Sequence, residues 1–171
     1  MYFKDRKLKK VFIGGPIQHA IGPKGFDSCL RSAITFLINT LQHEGFEVFS
    51  AHNEERFGDI DMESQSEEIT FRDFCWARDC DAYVCLLPAN EYGKPYRSDG
   101  THIEIGWASA YGKNIVILFD PSVSYSHLIN GLHSIAPVTL LPIESVLNKP
   151  SILITILQDY LYKYDDAENV L

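Results

Sequence analysis

The sequence predicts an α/β domain: a five-stranded parallel sheet with helices packed on both faces. Two observations predict it. Apolar runs of strand length alternate with longer helical runs along the chain. The strand runs are also apolar at nearly every position rather than every second one, as expected for a sheet covered on both sides.

The elements follow in order. "VFIGG" (11–15) is the first strand. "FDSCLRSAITFLINTLQHEG" (26–45) reads as a helix that stops on Gly45, the residue type best suited to a helix end. "FEVFSA" (46–51) is the second strand, residues 64–81 the second helix, and "AYVCLLP" (82–88) the third strand. "GTHIEIGWASAYG" ends its helix on Gly112 and leads into "NIVILF" (114–119). "APVTLL" (136–141) is the fifth strand, and "SILITILQDYLYKY" closes the chain as a helix. The whole of 1–171 reads as one domain, with 1–9 and 164–171 expected to be flexible tails. No repeat or low-complexity linker divides it. The long polar loops, 52–64 and 89–100, both follow strands. Ligands of open parallel sheets bind beyond the carboxyl ends of strands, so "GGPIQHAIGPKG", "ANEYGKPYRSDG" and "DPSVSYSH" are expected to border one crevice.

Composition narrows the function. The formal net charge is −8 and the pI about 5.1. That argues against partners that need a basic face, namely nucleic acid and anionic membrane, but leaves room for a small anionic ligand held locally. No segment has the ~18 consecutive apolar residues that span a bilayer. No apolar region follows the basic "MYFKDRKLKK", so it does not read as a signal peptide. Cysteines at 29, 75, 80 and 85 form no CxxC pair and have no histidine cluster at metal-ligand spacing. They read as reduced cysteines of a cytoplasmic protein, with Cys85 buried. No metal is expected.

Three features carry candidate chemistry. "GGPI", with Gly14 and Gly15, follows the first strand where phosphate loops often sit, although it is neither GxGxxG nor a Walker sequence. Glu104 stands in an otherwise apolar helical stretch after Ser98, Asp99 and Gly100. Thr101 and Glu104 have the spacing of a capping box, in which Glu104 would merely accept the Thr101 amide. The same position also directs a carboxylate into the crevice, where Gly100 and Gly106 would permit close approach. Asp73, flanked by Phe74 and Trp76, is a second carboxylate; Asp79 and Asp81 are weaker ones that can cap turns. A carboxylate pair is suited to attack and proton transfer at a glycosidic carbon.

Taken together and in order, "VFIGGPI", "SAHNEERFG", "DFCWARDCDAYV", "SDGTHIEIGWASAYGK" and "YSHLINGL" resemble the nucleoside 2-deoxyribosyltransferase superfamily. Within it the likeness is closest to the cytidine monophosphate hydrolases of mildiomycin and blasticidin biosynthesis. The resemblance covers roughly residues 10 to 132. It implies a flavodoxin-like, Rossmann-like three-layer sandwich and a glutamate nucleophile that attacks C1′, matched here by Glu104. It implies a catalytic aspartate at Asp73, a base-stacking aromatic at Phe12, and a phosphate-binding serine at Ser98, six residues before the nucleophile. The transferases of free deoxynucleosides carry aspartate at that position. A second phosphate serine, supplied by a neighbouring subunit, matches Ser126.

The sequence departs from the hydrolases in three places. Asp99 adjoins Ser98, the loop after the third strand is several residues longer, and Ile17-Gln18 stands where Phe-Arg follows "GGP". The expected activity is N-glycosidic hydrolysis of a nucleoside 5′-monophosphate, a CMP-like pyrimidine nucleotide first among them. Glu104 and Asp73 are expected to be catalytic, and Phe12, Gly14, Gly15, Ile17, Gln18, Ser98, Gly100 and Ser126 to bind substrate. No cofactor is expected, and the active species is expected to be a homodimer or higher oligomer. The alternatives are a deoxyribosyltransferase, for which Asp99 is the best support, and a nucleotide-binding sensor without turnover.

Overall fold

The computed structural model describes residues 9–168. The described residues begin with β1 (Lys10–Gly14), a small antiparallel hairpin of β2 (Ile21–Gly22) and β3 (Gly25–Phe26), and α1 (Ser28–His43). It continues through β4 (Glu47–Ser50), α2 (Ala51–Glu54), α3 (Ser66–Asp79), β5 (Ala82–Leu87) and α4 (Asp99–Ala110). It finishes with β6 (Asn114–Phe119), α5 (His127–Gly131), β7 (Val138–Pro142), α6 (Ile143–Asn148) and α7 (Ser151–Glu168). The expected flexible tails fall mostly on 1–8 and 169–171, outside the described residues; residues 164–168 belong to α7.

Five strands pair in the order β4-β1-β5-β6-β7, every pair parallel. Counted within the sheet, that order is 2-1-3-4-5, the flavodoxin-like arrangement. Alternate residues feed two cores. Val11, Ile13, Val84, Leu86, Val116 and Leu118 pack with α1, α6 and α7 through Leu30, Ile34, Leu37, Leu41, Val146, Leu153 and Leu157. Phe12, Tyr83, Cys85, Ile115 and Ile117 face the other way, onto Ala77 of α3, Ile105 and Ala108 of α4 and Ile129 of α5. The central strands are buried on both sides, and this explains their unbroken apolar runs.

Helix α1 shows how the sequence sets its ends. The Asp27 carboxylate accepts the Leu30 amide at 2.8 Å, satisfying a first-turn donor. Gly45 follows at φ +84°, in the left-handed region, and the chain turns into β4. The hairpin β2–β3, α2, α5 and α6 are absent from the sequence reading, because each is too short to show a period. No helix among the described residues is long and apolar enough to cross a membrane.

Sheet order reverses direction between β1 and β5. Beyond the carboxyl ends of these strands lie the β1 loop, the start of α2 and the start of α4, and there the site forms.

Candidate active site

Glu104 lies on the sheet-facing side of α4 with Thr101, Ile105 and Ala108, the spacing of one buried helical stripe. It is 7% exposed. The phenol of Tyr83, from the fully buried β5, donates to Glu104 Oε2 at 2.5 Å. Gly14, the last residue of β1, lies against this pair. A Cβ there would sit 2.0 Å from Tyr83 Oη and 2.5 Å from Glu104 Oε2, so the position requires glycine.

The capping-box reading of Glu104 does not survive. Helix α4 begins at Asp99 with Ser98 as its N-cap, so Thr101 is already inside the first turn. Glu104 turns to Tyr83 instead of back to the Thr101 amide. Burial pushes the Glu104 carboxyl up to about 8. The Tyr83 hydrogen bond and Arg72 oppose the shift, while Asp73 and Glu55 add to it.

Those neighbours form a second cluster. Asp73, 6% exposed on α3, accepts from Arg72 Nε at 2.9 Å. Arg72 Nη2 also reaches Glu55 Oε1 at 2.6 Å, and Glu55 is only 3% exposed. The guanidinium lies 4.7 Å from the Trp76 ring centre. Burial pushes Asp73 up to about 6 and also raises Glu55, with Arg72 opposing both. One half-buried cation thus serves two buried carboxylates, the arrangement that lets charges remain inside a fold. Directly after Glu55, Arg56 (φ 49°) and Phe57 (φ 55°) adopt the left-handed region, which is uncommon for residues other than glycine. Asp79 and Asp81 take structural roles: the first pairs with Arg78 on the surface, and the second accepts the Lys10 amide at 2.7 Å.

Ser98 is buried at the N-terminus of α4, and its hydroxyl makes no capping bond. It lies 3.3 Å from His102 Nδ1, whose closer partner is the Ser98 carbonyl at 2.7 Å. Asp99 is exposed and held by Arg97 at 2.8 Å. Gly100 has open space where a side chain would be. Gly15 approaches His52, with a Cβ there 3.3 Å from His52 Cε1. Ile17 is half-buried and Gln18 exposed, in the turn that leads to β2.

Two expected residues lie elsewhere. Phe12 is 0% exposed, its ring 5.0 Å from that of Tyr83 and 5.6 Å from that of Trp76. The ring has no open face on which a base could stack, because β1 directs it into the core under α3. Ser126 is an exposed N-cap of α5, its hydroxyl accepting the Leu128 amide at 3.2 Å. The long loop after β5 turns toward α1 instead of lying over Glu104: Tyr96 Oη donates to Asp27 at 3.2 Å, and an Ala89–Pro95 bridge closes the loop.

Sequence reasoning missed Tyr83, Glu55, Arg72 and His52. His52 is fully buried after β4, with Nε2 3.4 Å from the Pro16 carbonyl, and burial pushes its imidazole down to about 4. Tyr83 lies in a run that reads only as core strand. The "SAHNEERFG" stretch that contains His52 and Glu55 did mark the region.

A buried, hydrogen-bonded glutamate and an electrostatically coupled aspartate thus meet at the switch point of a flavodoxin-like sheet. The sequence model of the nucleoside 2-deoxyribosyltransferase family matches residues 21–142, and the chain belongs to that family. The CMP N-glycosidase BcmB of Clostridium botulinum is 28% identical over 84% of this chain and 99% of its own, with a TM-score of 0.56. The solution structure of BlsM is 29% identical over 91% of this chain and 94% of its own, with a TM-score of 0.69. A conserved protein from Enterococcus faecalis V583, 18% identical over 83% of this chain and 96% of its own, shares the fold at a TM-score of 0.57. No curated protein matches the chain. Family and neighbours support activity of the nucleotide N-glycosidase or deoxyribosyltransferase type.

Proposed function

We propose that this chain is a nucleoside 5′-monophosphate N-glycosidase, with a CMP-like pyrimidine nucleotide as its substrate. The observation that carries the reading is the setting of Glu104: a buried carboxylate, one oxygen fixed by Tyr83, pressed against Gly14, where even a Cβ would clash. A nucleophile so held loses little freedom on attack. The Glu104 carboxylate bonds to C1′ as the C1′–N bond breaks, and the base leaves with its electron pair and takes up a proton. Water then attacks the glycosyl ester, releasing ribose 5-phosphate and restoring the carboxylate. Asp73, anchored by Arg72, orients the sugar or passes the proton.

Ser98 and the α4 N-terminus receive the phosphate, since first-turn amides are free and the helix dipole favours an anion there. Ser126 completes the phosphate site from a neighbouring subunit, so the active species is a homodimer or larger assembly. The rival transferase reading rests on Asp99 taking the place of Ser98. The exposure of Asp99 and its pairing with Arg97 favour the serine register.

Matched substrates test the proposal. Wild-type protein is assayed on CMP against cytidine and dCMP against deoxycytidine, with free base and sugar phosphate measured separately. Base and ribose 5-phosphate from the monophosphates support it. Preference for the unphosphorylated partners, with base exchange when a second base is added, establishes the transferase instead.

A further inference from the structure

Helix α4 carries a third polar group between Ser98 and Glu104. Thr101 is 2% exposed, and its hydroxyl is buried without a hydrogen-bond partner. Helical threonines usually satisfy themselves on the carbonyl four residues back, as Thr70 does here on Ser66 at 2.7 Å. Thr101 does not, because α4 starts at Asp99 and residue 97 lies outside the helix. An unpartnered buried hydroxyl is costly, and a valine would fill the same space without that cost.

Position supplies the reason for keeping it. Ser98, Thr101 and Glu104 are spaced three apart, so each step turns about 60° around α4, and Thr101 lies between the other two on an arc of about 120°. At 1.5 Å rise per residue, Ser98 and Glu104 are about 9 Å apart along the axis, with Thr101 midway. A ribose 5-phosphate whose phosphate meets the N-terminus and whose C1′ meets Glu104 would run along this line. Its sugar–phosphate linkage would then pass Thr101. Thr101 and Glu104 belong to the same buried stripe of α4, so a ligand bound at Glu104 would lie close to Thr101.

We propose that Thr101 is a substrate-binding residue that donates its hydroxyl to an oxygen of the sugar–phosphate linkage, setting the register between phosphate and C1′. This rests on the N-glycosidase reading above. It adds a contact that neither the sequence nor the family likeness assigned.

The test compares Thr101→Val and Thr101→Ser with wild type in three measurements: melting without ligand, kcat/KM for CMP, and the rise in melting temperature on adding ribose 5-phosphate. Thr101→Val is expected to melt at or above wild type while losing about tenfold in kcat/KM and most of the ribose 5-phosphate shift. Thr101→Ser is expected to recover most of both. A Thr101→Val protein that melts lower yet keeps wild-type kcat/KM overturns the proposal, since the hydroxyl would then serve only the fold. If wild type releases no base from any nucleotide, the N-glycosidase reading fails by itself. The ribose 5-phosphate shift then decides for Thr101: loss in Thr101→Val supports the contact, and equal shifts overturn it.

Discussion

Replacing Glu104 with glutamine should make the protein inactive and more stable at the same time. Folded Glu104 holds its proton up to about pH 8, whereas its ordinary value is 4.5. Between those pH values unfolding releases a proton, so stability falls as pH rises across the window and is greatest at its acid end. At ~1.4 kcal/mol per pH unit, the shift corresponds to at most about 5 kcal/mol; relaxation of the site reduces this to about 2–5 kcal/mol. Glutamine keeps an oxygen to accept the Tyr83 proton and cannot ionise. Glu104→Gln is therefore expected to exceed wild type by about 2–5 kcal/mol at pH 8 and to match it near pH 4.5. Urea unfolding of both proteins at several pH values measures the difference, and base release from CMP measures activity. Loss of a nucleophile costs several orders of magnitude in rate. Parallel stability curves with pH would refute the buried, proton-holding Glu104, and near-normal turnover by the folded variant would refute its role as nucleophile.

Other outcomes follow from the same geometry. Gly14→Ala places a methyl group against Tyr83 Oη and Glu104 Oε2 and should remove most activity, with a loss of about 1–3 kcal/mol in stability by denaturation. Ser98→Ala should lower kcat/KM for the monophosphate by roughly tenfold to a hundredfold while barely changing nucleoside turnover; Ser98→Asp should lower it further by repulsion. In the free enzyme, kcat/KM should rise with pH toward about 8 as Glu104 ionises, a limb that a pH-rate profile shows or lacks. The proposed role of Ser126 in a neighbouring subunit's phosphate site requires a dimer or larger species by sedimentation at assay concentration; a fully active monomer would contradict it.

Much of this was legible in the sequence, for physical reasons. Strands buried on both faces leave continuous apolar runs, so the five-stranded sheet could be read within a residue or two at most ends. Glu104 was legible because a lone carboxylate in an apolar helix needs a partner or a task. Its partner was not. Tyr83 sits among Ala82, Val84, Cys85, Leu86 and Leu87, and only the pairing of β1 with β5 reveals that its hydroxyl lies over Gly14. Glu55 and Arg72 are 17 residues apart and meet only through the packing of α3 against the turn after α2. Phe12 shows the opposite error. The family resemblance implies a base-stacking aromatic at this position, but strand alternation sends it to the core with Trp76 and Tyr83. The long loop after β5 was expected to border the crevice, and its anchor on Asp27 at the start of α1 could not be read locally.

The most direct test of the account is rapid-quench mass spectrometry of the peptide containing Glu104 during turnover of CMP. The account predicts a ribosyl 5-phosphate ester on Glu104 that forms as base is released and decays as ribose 5-phosphate appears. Base release at the full rate with that peptide unmodified at every time point, and wild-type turnover by Glu104→Gln, would contradict it.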